Sequence, residues 1–222
     1  MPLDVTTLVV SPFEQNCRLV VDHDTGEAVV VDPGDEAPRI LSAVRASGAT
    51  VKAILATHGH LDHVGAVAPL KDALRVPFAI HGLDRPLLAL MPEHGLVFGM
   101  RGLRIPSIDL DLADVAEIPF GKGIIRVVHT PGHTPGGVTF LFGETGRKGL
   151  FGDSLFHLSV GRTDLGGDPV VYARTIRDVI LAMPDDTEVH SGHGPSSVLA
   201  VERRDNPFLN GRLDFGCPDL PL

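Results

Sequence analysis

The clustering of histidine and aspartate in one short segment is the main chemical feature of this chain. Three of the 11 histidines lie together with one carboxylate in the seven residues Thr57-His58-Gly59-His60-Leu61-Asp62-His63. Imidazole nitrogens and carboxylate oxygens are preferred ligands of zinc and similar divalent metals. The segment lies between an apolar strand pattern and an apolar helix pattern, a junction that can direct several side chains into one small volume. We therefore interpret it as a metal-binding loop rather than a solvated polar loop.

Three more candidate ligands each follow a predicted strand. They are His133, Asp153 and His193, and each lies among glycine or proline residues, which allow sharp turns and leave room for a ligand. A single histidine at the end of a strand is usually an ordinary surface residue. Because strand ends on one rim of a sheet converge, the four segments together predict one metal site.

Alternating strand and helix patterns supply the elements that must position these residues. Apolar runs and periodicity predict strands at 19–21, 28–31, 51–57, 77–81, 123–129, 137–142, 148–152 and 187–190, and helices at 64–74, 172–183 and 196–204. A further helix is predicted between a cap at Asp35 and an end at Gly48. For 82–115 we expect short helical turns and loops that cover the site. No linker divides the chain, so we predict one α/β domain over 1–222, with sheets covered by helices.

Composition excludes several classes of function. The formal net charge is −9 and no Lys/Arg run occurs, which disfavours a nucleic-acid partner. We expect neither a membrane span nor a signal peptide, because no apolar run reaches about 18 residues and the N-terminal segment lacks a basic region. Cys17 and Cys217 are far apart and are interpreted as free thiols of a reducing compartment. These features predict a cytoplasmic protein.

The ligand pattern resembles the metallo-β-lactamase superfamily. The resemblance rests on HxHxDH at 58–63 with His133, Asp153 and His193, and on Val31-Asp32-Pro33-Gly34, which resembles the family's first motif. The segments Gln15-Asn16-Cys17, 131–136, 161–164, 192–195 and 206–209 resemble the short, single-domain type II glyoxalases of bacteria, which are hydroxyacylglutathione hydrolases. The resemblance implies an αββα sandwich of two mixed sheets, with the site at the edge between them.

The resemblance also implies a role for each ligand. His58, His60 and His133 would bind a first metal; Asp62, His63 and His193 would bind a second; Asp153 would bridge the two, and Asp32 would support the loop from behind. Two divalent ions are expected, and the ligands suit Zn, Fe or Mn. A pair of such ions can lower the pKa of a shared water toward ~7. The expected reaction is attack by the resulting bridging hydroxide, oriented by Asp62, on a thioester such as S-D-lactoylglutathione, which yields D-lactate and glutathione.

Residues outside the ligand set have weaker signals. We assign substrate binding to Arg162, with a salt bridge to Asp164 or Asp168 as the alternative, and to Tyr172, with a core position as the alternative. A supporting or substrate role for His129 and His157 stays open. The apolar residues Leu87, Leu88, Leu90 and Met91 form either an acyl pocket or a small satellite core.

Related activities of the same fold remain as alternatives. A persulfide dioxygenase would use one iron on His58, His133 and Asp153, and a lactone hydrolase would use the same two metals with a different pocket. The superfamily's β-lactamases use a cysteine in the second site, and neither cysteine here lies in a ligand motif, which speaks against antibiotic hydrolysis. The sequence does not reach the extra C-terminal helical domain of classical type II glyoxalases, so thioester hydrolysis is predicted more firmly than glutathione recognition.

Overall fold

Two six-stranded sheets form the centre of the protein in the computed structural model, which describes residues 3–143 and 145–214. The first sheet has, in spatial order, β1 (Leu3–Val10), β2 (Gln15–Asp22), β3 (Glu27–Val31), β4 (Thr50–Leu55), β5 (Phe78–Ile80) and β6 (Leu110–Asp111). Its first three strands pair antiparallel, and the pairs from β3 to β6 are parallel.

The second sheet is mostly antiparallel. Its spatial order is β12 (Ser197–Val198), β11 (Glu188–Ser191), β10 (Lys148–Gly152), β9 (Val138–Phe142), β8 (Gly123–His129) and β7 (Glu117–Phe120). The one parallel pair among these strands is β10 with β11. Both sheets are therefore mixed, as the resemblance to the superfamily implied.

Helices cover the outer faces of both sheets. They are α1 (Ala37–Ser47), α2 (Leu61–Val64), α3 (Val67–Leu74), α4 (Arg85–Val97), α5 (Pro169–Thr175), which continues as a π-helical turn at Ile176–Ile180, and α6 (Leu199–Asp205). Leu70 and Leu88 pack on one side of the first sheet, and Ile176 and Leu199 pack beside the second sheet. This arrangement confirms the predicted αββα architecture.

The alternation of side chains along β3 shows why the layers form. Val29 and Val31 lie in the core between the two sheets, together with Phe140 of β9, whereas Val30 lies in the core beneath the helices. Successive residues of a strand point to opposite faces, so a strand of consecutive valines can serve two cores at once.

Two local predictions were wrong. The segment 82–115 contains the 13-residue helix α4, which continues through Pro92 although proline donates no backbone hydrogen bond. Burial of Leu88 and Met91 in the helix-side core favours the helix despite that loss. Asp35 does not cap α1: its carboxylate accepts the N–H of Glu36, and Glu36 occupies the cap position with a φ of 55°.

No helix within the described ranges has the length and apolarity required to cross a bilayer.

Candidate metal centre

Five of the seven predicted ligands lie on four loops, which follow the carboxyl ends of β4, β8, β10 and β11, and the other two, Asp62 and His63, lie on α2 directly after the first of these loops. Backbone hydrogen bonds hold the loops together. The N–H of Val138 donates to the carbonyl of Thr57, the N–H of Gly192 donates to the carbonyl of Gly152, and the N–H of Asn16 donates to the carbonyl of Gly192. The loops of both sheets therefore meet at one edge of the sandwich.

The first group of ligands is His58, His60 and His133, whose candidate donor atoms lie within 4.8 Å of one another. Nε2 of His133 is 2.9 Å from Nδ1 of His60. The other ring nitrogen of each faces a carbonyl, Arg162 O at 2.6 Å from His133 and Leu165 O at 3.1 Å from His60. A carbonyl oxygen can only accept a hydrogen bond, so the ring nitrogen that faces it carries the proton. In the neutral rings, Nε2 of His133 and Nδ1 of His60 therefore both carry lone pairs.

His58 directs a lone pair to the same place. The hydroxyl of Thr57 donates to Asp32 at 2.7 Å, and it therefore accepts from Nδ1 of His58 at 3.1 Å. Nε2 of His58 is left as an acceptor, and it is buried without a hydrogen-bond partner. Three lone pairs thus converge with no donor between them, which is the arrangement a cation would satisfy.

The second group, Asp62, His63 and His193, has the same construction. Nδ1 of His63 faces Asp32 at 3.1 Å, and Nδ1 of His193 faces Phe13 O at 3.0 Å. The two Nε2 atoms face each other at 3.4 Å, and Oδ2 of Asp62 lies 3.2 Å from Nε2 of His193. These three residues also place donor atoms within 4.8 Å of one another.

Asp153 lies between the two groups. Its Oδ1 is 3.3 Å from Nε2 of His63, and its Oδ2 is 3.6 Å from Nε2 of His133 and 3.8 Å from Nε2 of His193. Oδ1 is buried without a hydrogen-bond donor. The carboxylate is therefore placed to serve both groups, as the bridging assignment requires.

The electrostatics of the cluster suit a cation. Burial lowers the pKa of His133 to about 4, and burial with the neighbouring histidines lowers the pKa of His58, so both favour the neutral, ligating form. Burial also opposes charge on His63, but Asp153, Asp32 and Asp62 outweigh it and raise the pKa of His63. The carboxylates that favour a proton at this position also favour a metal cation there. The donor set therefore fits two divalent cations.

Comparison with known proteins agrees with this geometry. The family model described as the metallo-beta-lactamase superfamily matches residues 10–193. The chain belongs to the metallo-β-lactamase superfamily.

Several relatives within the superfamily cover almost the whole chain. It is 36% identical over 219 residues to the hydroxyacylglutathione hydrolase GloC of Haemophilus influenzae, covering 95% of this chain and 100% of GloC. It resembles the crystal structure of the BLEG-1 B3 metallo-β-lactamase with a TM-score of 0.86 and 34% identity, covering 94% of this chain and 100% of that one. TTHA1623, solved in a di-iron-bound form, has a TM-score of 0.82 and 38% identity, covering 92% of this chain and 100% of that one.

Asp32 lies where the superfamily motif predicts it. Its carboxylate accepts the backbone N–H of Thr57 at 2.6 Å and the Thr57 hydroxyl at 2.7 Å, and it faces His63. Its φ of 52° lies in the left-handed region, which a residue with a short polar side chain tolerates well. Asp32 thus fixes both the ligand loop and the orientation of one ligand.

The sequence did not predict a role for Asp84, whose carboxylate holds two of the ligand loops together. It is fully buried, and its carboxylate accepts from Gly59 N at 2.8 Å, the Thr134 hydroxyl at 2.9 Å and Gly136 N at 2.6 Å. These groups are 25 to 52 residues away in the chain, so no local pattern could have identified the contact.

A cavity of about 930 Å³ opens beside the ligands. Arg162 lines it, and its guanidinium pairs with Asp164 through two contacts of 2.5 Å, so the structure places it both at the cavity and in the salt bridge considered above. Leu87, Leu90 and Met91 also line the cavity.

Tyr172 is a correction to the predicted substrate contacts. Its side chain is fully buried, and its hydroxyl donates toward the carbonyls of Asp153 and Ser154 and accepts from Gly161 N. A side chain without exposed surface cannot touch a substrate. Tyr172 instead supports the loop that carries Asp153.

The two histidines with open roles have their contacts outside the ligand set. His129 stacks on His81, with ring centroids 4.5 Å apart, and contacts the carbonyl of Pro135. His157 contacts the buried carboxylate of Glu202 at 3.0 Å.

Proposed function

We propose that this protein is a binuclear metal-dependent thioesterase of the hydroxyacylglutathione hydrolase type, with S-D-lactoylglutathione as a model substrate. The observation that carries the proposal is the position of Asp62, His63 and His193 directly beside the first ligand group, with Asp153 between them. The name of GloC, at 36% identity, supports the reaction, and the di-iron form of TTHA1623 supports the number of metals.

Divalent cations bound here would supply Lewis acidity and a water of lowered pKa. The protein supplies fixed ligands: each of the five imidazoles has its second ring nitrogen held by a carbonyl, a hydroxyl or Asp32. Such contacts set the tautomer and the ring orientation before substrate arrives.

The side chains that face the cavity divide the remaining tasks. Asp62 and Asp153 line the cavity together with His60, His133 and His193, so a substrate in the cavity reaches the ligand cluster directly. We assign to Asp62 the orientation of the attacking water, because its carboxylate lies at both the cavity and the second ligand group. Arg162 is the candidate contact for a substrate carboxylate.

The test is metal analysis of purified protein combined with thiol release from S-D-lactoylglutathione. We expect two metal ions per chain, loss of activity with a chelator, and recovery with Zn, Fe or Mn. Asp62→Asn should lower kcat by at least about 100-fold, in the range of a lost general base or orienting group. A protein that holds two cations and cleaves no thioester would contradict the proposal.

β-Lactam hydrolysis is the second candidate, because the chain is 34% identical to BLEG-1 over nearly its full length. The same preparation assayed with a chromogenic cephalosporin separates the two activities. Oxygen uptake with glutathione persulfide tests the mononuclear dioxygenase, which needs only His58, His133 and Asp153.

A further inference from the structure

One wall of the cavity is apolar. A lactoyl group is small and polar, so its hydrolysis does not explain this wall. Leu87, Leu90, Met91, Val97 and Phe98 all line the cavity. Leu90 and Met91 lie three and four residues after Leu87 and share one face of α4, and Val97 and Phe98 lie at its end. Met91 is buried in the helix-side core, but Leu90 is 42% exposed and Val97 is 78% exposed, so part of this face is free of the core.

Two phenylalanines that line the cavity, Phe13 and Phe156, lie beside the ligands. Phe13 contacts Phe98 edge to face, with ring centroids 5.1 Å apart, and the carbonyl of Phe13 holds the ligand His193. The ring of Phe156 lies 6.0 Å from the ring of His193. Apolar side chains therefore line the cavity both beside the ligand His193 and at the end of α4.

The charges of the cavity do not favour a polyanionic substrate. Among the described residues that line it, Arg162 is the one lysine or arginine, and Asp164 already pairs with its guanidinium. Away from the ligand cluster, a substrate that carries several carboxylates would have to break this pair to gain an arginine or lysine partner. An uncharged apolar chain meets no such cost.

We propose that the cavity binds the apolar acyl chain of the substrate, and that medium-chain acyl thioesters are better substrates than short or hydroxylated ones. This inference rests on the proposed thioester hydrolysis and names its substrate class. The scissile carbonyl lies at the ligand cluster, and the chain extends along α4 past Leu90 toward Phe98. Each methylene removed from water contributes about fourfold in affinity.

The test uses thioesters of N-acetylcysteamine, a neutral thiol, with unbranched acyl chains from acetyl to decanoyl. Hydrolysis adds water across the C–S bond and gives the free acid and the thiol, which is quantified with a thiol reagent. We expect kcat/KM to rise by about two- to fourfold for each methylene until the chain spans the wall. A flat or falling series in an enzyme that cleaves S-D-lactoylglutathione would overturn the acyl assignment and leave the proposed function intact.

Two leucines on the same helix provide a matched pair of variants. Leu90 lines the cavity, whereas Leu96 is 63% exposed and is not among the residues that line it. In Leu90→Asn the ratio of decanoyl to acetyl kcat/KM should fall about tenfold, as expected when contact with one or two methylenes is lost. In Leu96→Asn the ratio should equal that of the wild type, and an equal fall in both variants would overturn the proposal.

Calorimetric titration with decanoate and butyrate supplies a readout that does not depend on turnover. Decanoate should bind at least tenfold more tightly than butyrate, and Leu90→Asn should remove most of the difference. Selective decanoate binding by a protein that cleaves no thioester would refute the hydrolase and leave the apolar acyl site standing. Equal affinity for the two acids would refute the acyl site.

Discussion

Oδ2 of Asp32 lies 3.1 Å from Nδ1 of His63, and both side chains are buried. The contact makes Nδ1 the protonated nitrogen and leaves Nε2 free for a metal ion. A carboxylate in this position also raises the basicity of the ligand.

Removal of this carboxylate should weaken one metal site more than the other. In Asp32→Ala we expect affinity at the Asp62, His63 and His193 group to fall about 10- to 100-fold, the range for partners behind metal ligands. Competition with a chromophoric chelator measures it. Asp35→Ala is the control, since Asp35 contacts only the neighbouring N–H of Glu36 among its hydrogen bonds in the described structure. Equal metal affinity in both variants would contradict the role given to Asp32.

The two ligand groups should be separable by mutation. His193→Ala removes a ligand of the second group, and we expect the metal content of the purified protein to fall from two ions per chain toward one. His60→Ala should do the same at the first group. Elemental analysis, with circular dichroism as a check on folding, provides the measurement. A His193→Ala protein that retains two ions would exclude the assignment of His193.

Asp84 should contribute to the stability of the protein. In Asp84→Asn an amide replaces an acceptor of three hydrogen bonds, and its NH₂ cannot accept from Gly136 N or Gly59 N. We expect the free energy of unfolding to fall by about 1–3 kcal/mol, the cost of a buried group left unsatisfied. Urea denaturation measures this change. The control is Asp114→Asn, which lies on a nearby turn outside these contacts and should leave the free energy of unfolding unchanged. If Asp84→Asn had the wild-type free energy of unfolding, the proposed role of Asp84 in linking the loops would be contradicted.

Tyr172→Phe separates a supporting role from substrate binding. The hydroxyl contacts Gly161 N and the carbonyls of Asp153 and Ser154, so its loss should lower the free energy of unfolding by about 1–3 kcal/mol. KM should stay near the wild-type value, because the ring does not reach the cavity. A large rise in KM at unchanged stability would instead restore Tyr172 as a substrate contact.

Glu202 should make stability depend on pH in the acid range. Burial raises the pKa of this carboxyl, but hydrogen bonds from Ser197, Asn206, Leu158 N and His157 outweigh it, so the pKa lies below its ordinary value of 4.5. The unfolded chain therefore binds the proton more readily, and the stabilisation is present above about pH 4.5 and is lost as pH falls through the folded pKa. Glu202→Gln should lower stability at pH 7 and flatten its decline below pH 4.5, as measured by urea denaturation. Parallel pH profiles for the two proteins would contradict this.

The sequence by itself determined the candidate ligands and the alternation of strands and helices, and its resemblance to the superfamily implied the sandwich. HxHxDH between a strand and a helix is informative because strand ends direct their loops to one rim, and His133, Asp153 and His193 follow strands in the same way. Runs such as Ala28 to Val31 predicted strands buried on both faces because their apolar pattern is local.

Tertiary structure alone decided which partners hold the ligands. Asp84 reaches Gly59 and Gly136 across 25 and 52 residues, and the tautomer of each imidazole depends on a carbonyl, hydroxyl or carboxylate supplied by another part of the fold. The same holds for α4, where burial of Leu88 and Met91 prevailed over the helix-breaking tendency of Pro92, and for the burial of Tyr172. Local spacing specifies which atoms can bind a metal; packing between distant segments specifies how those atoms are oriented and which side chains a substrate can reach.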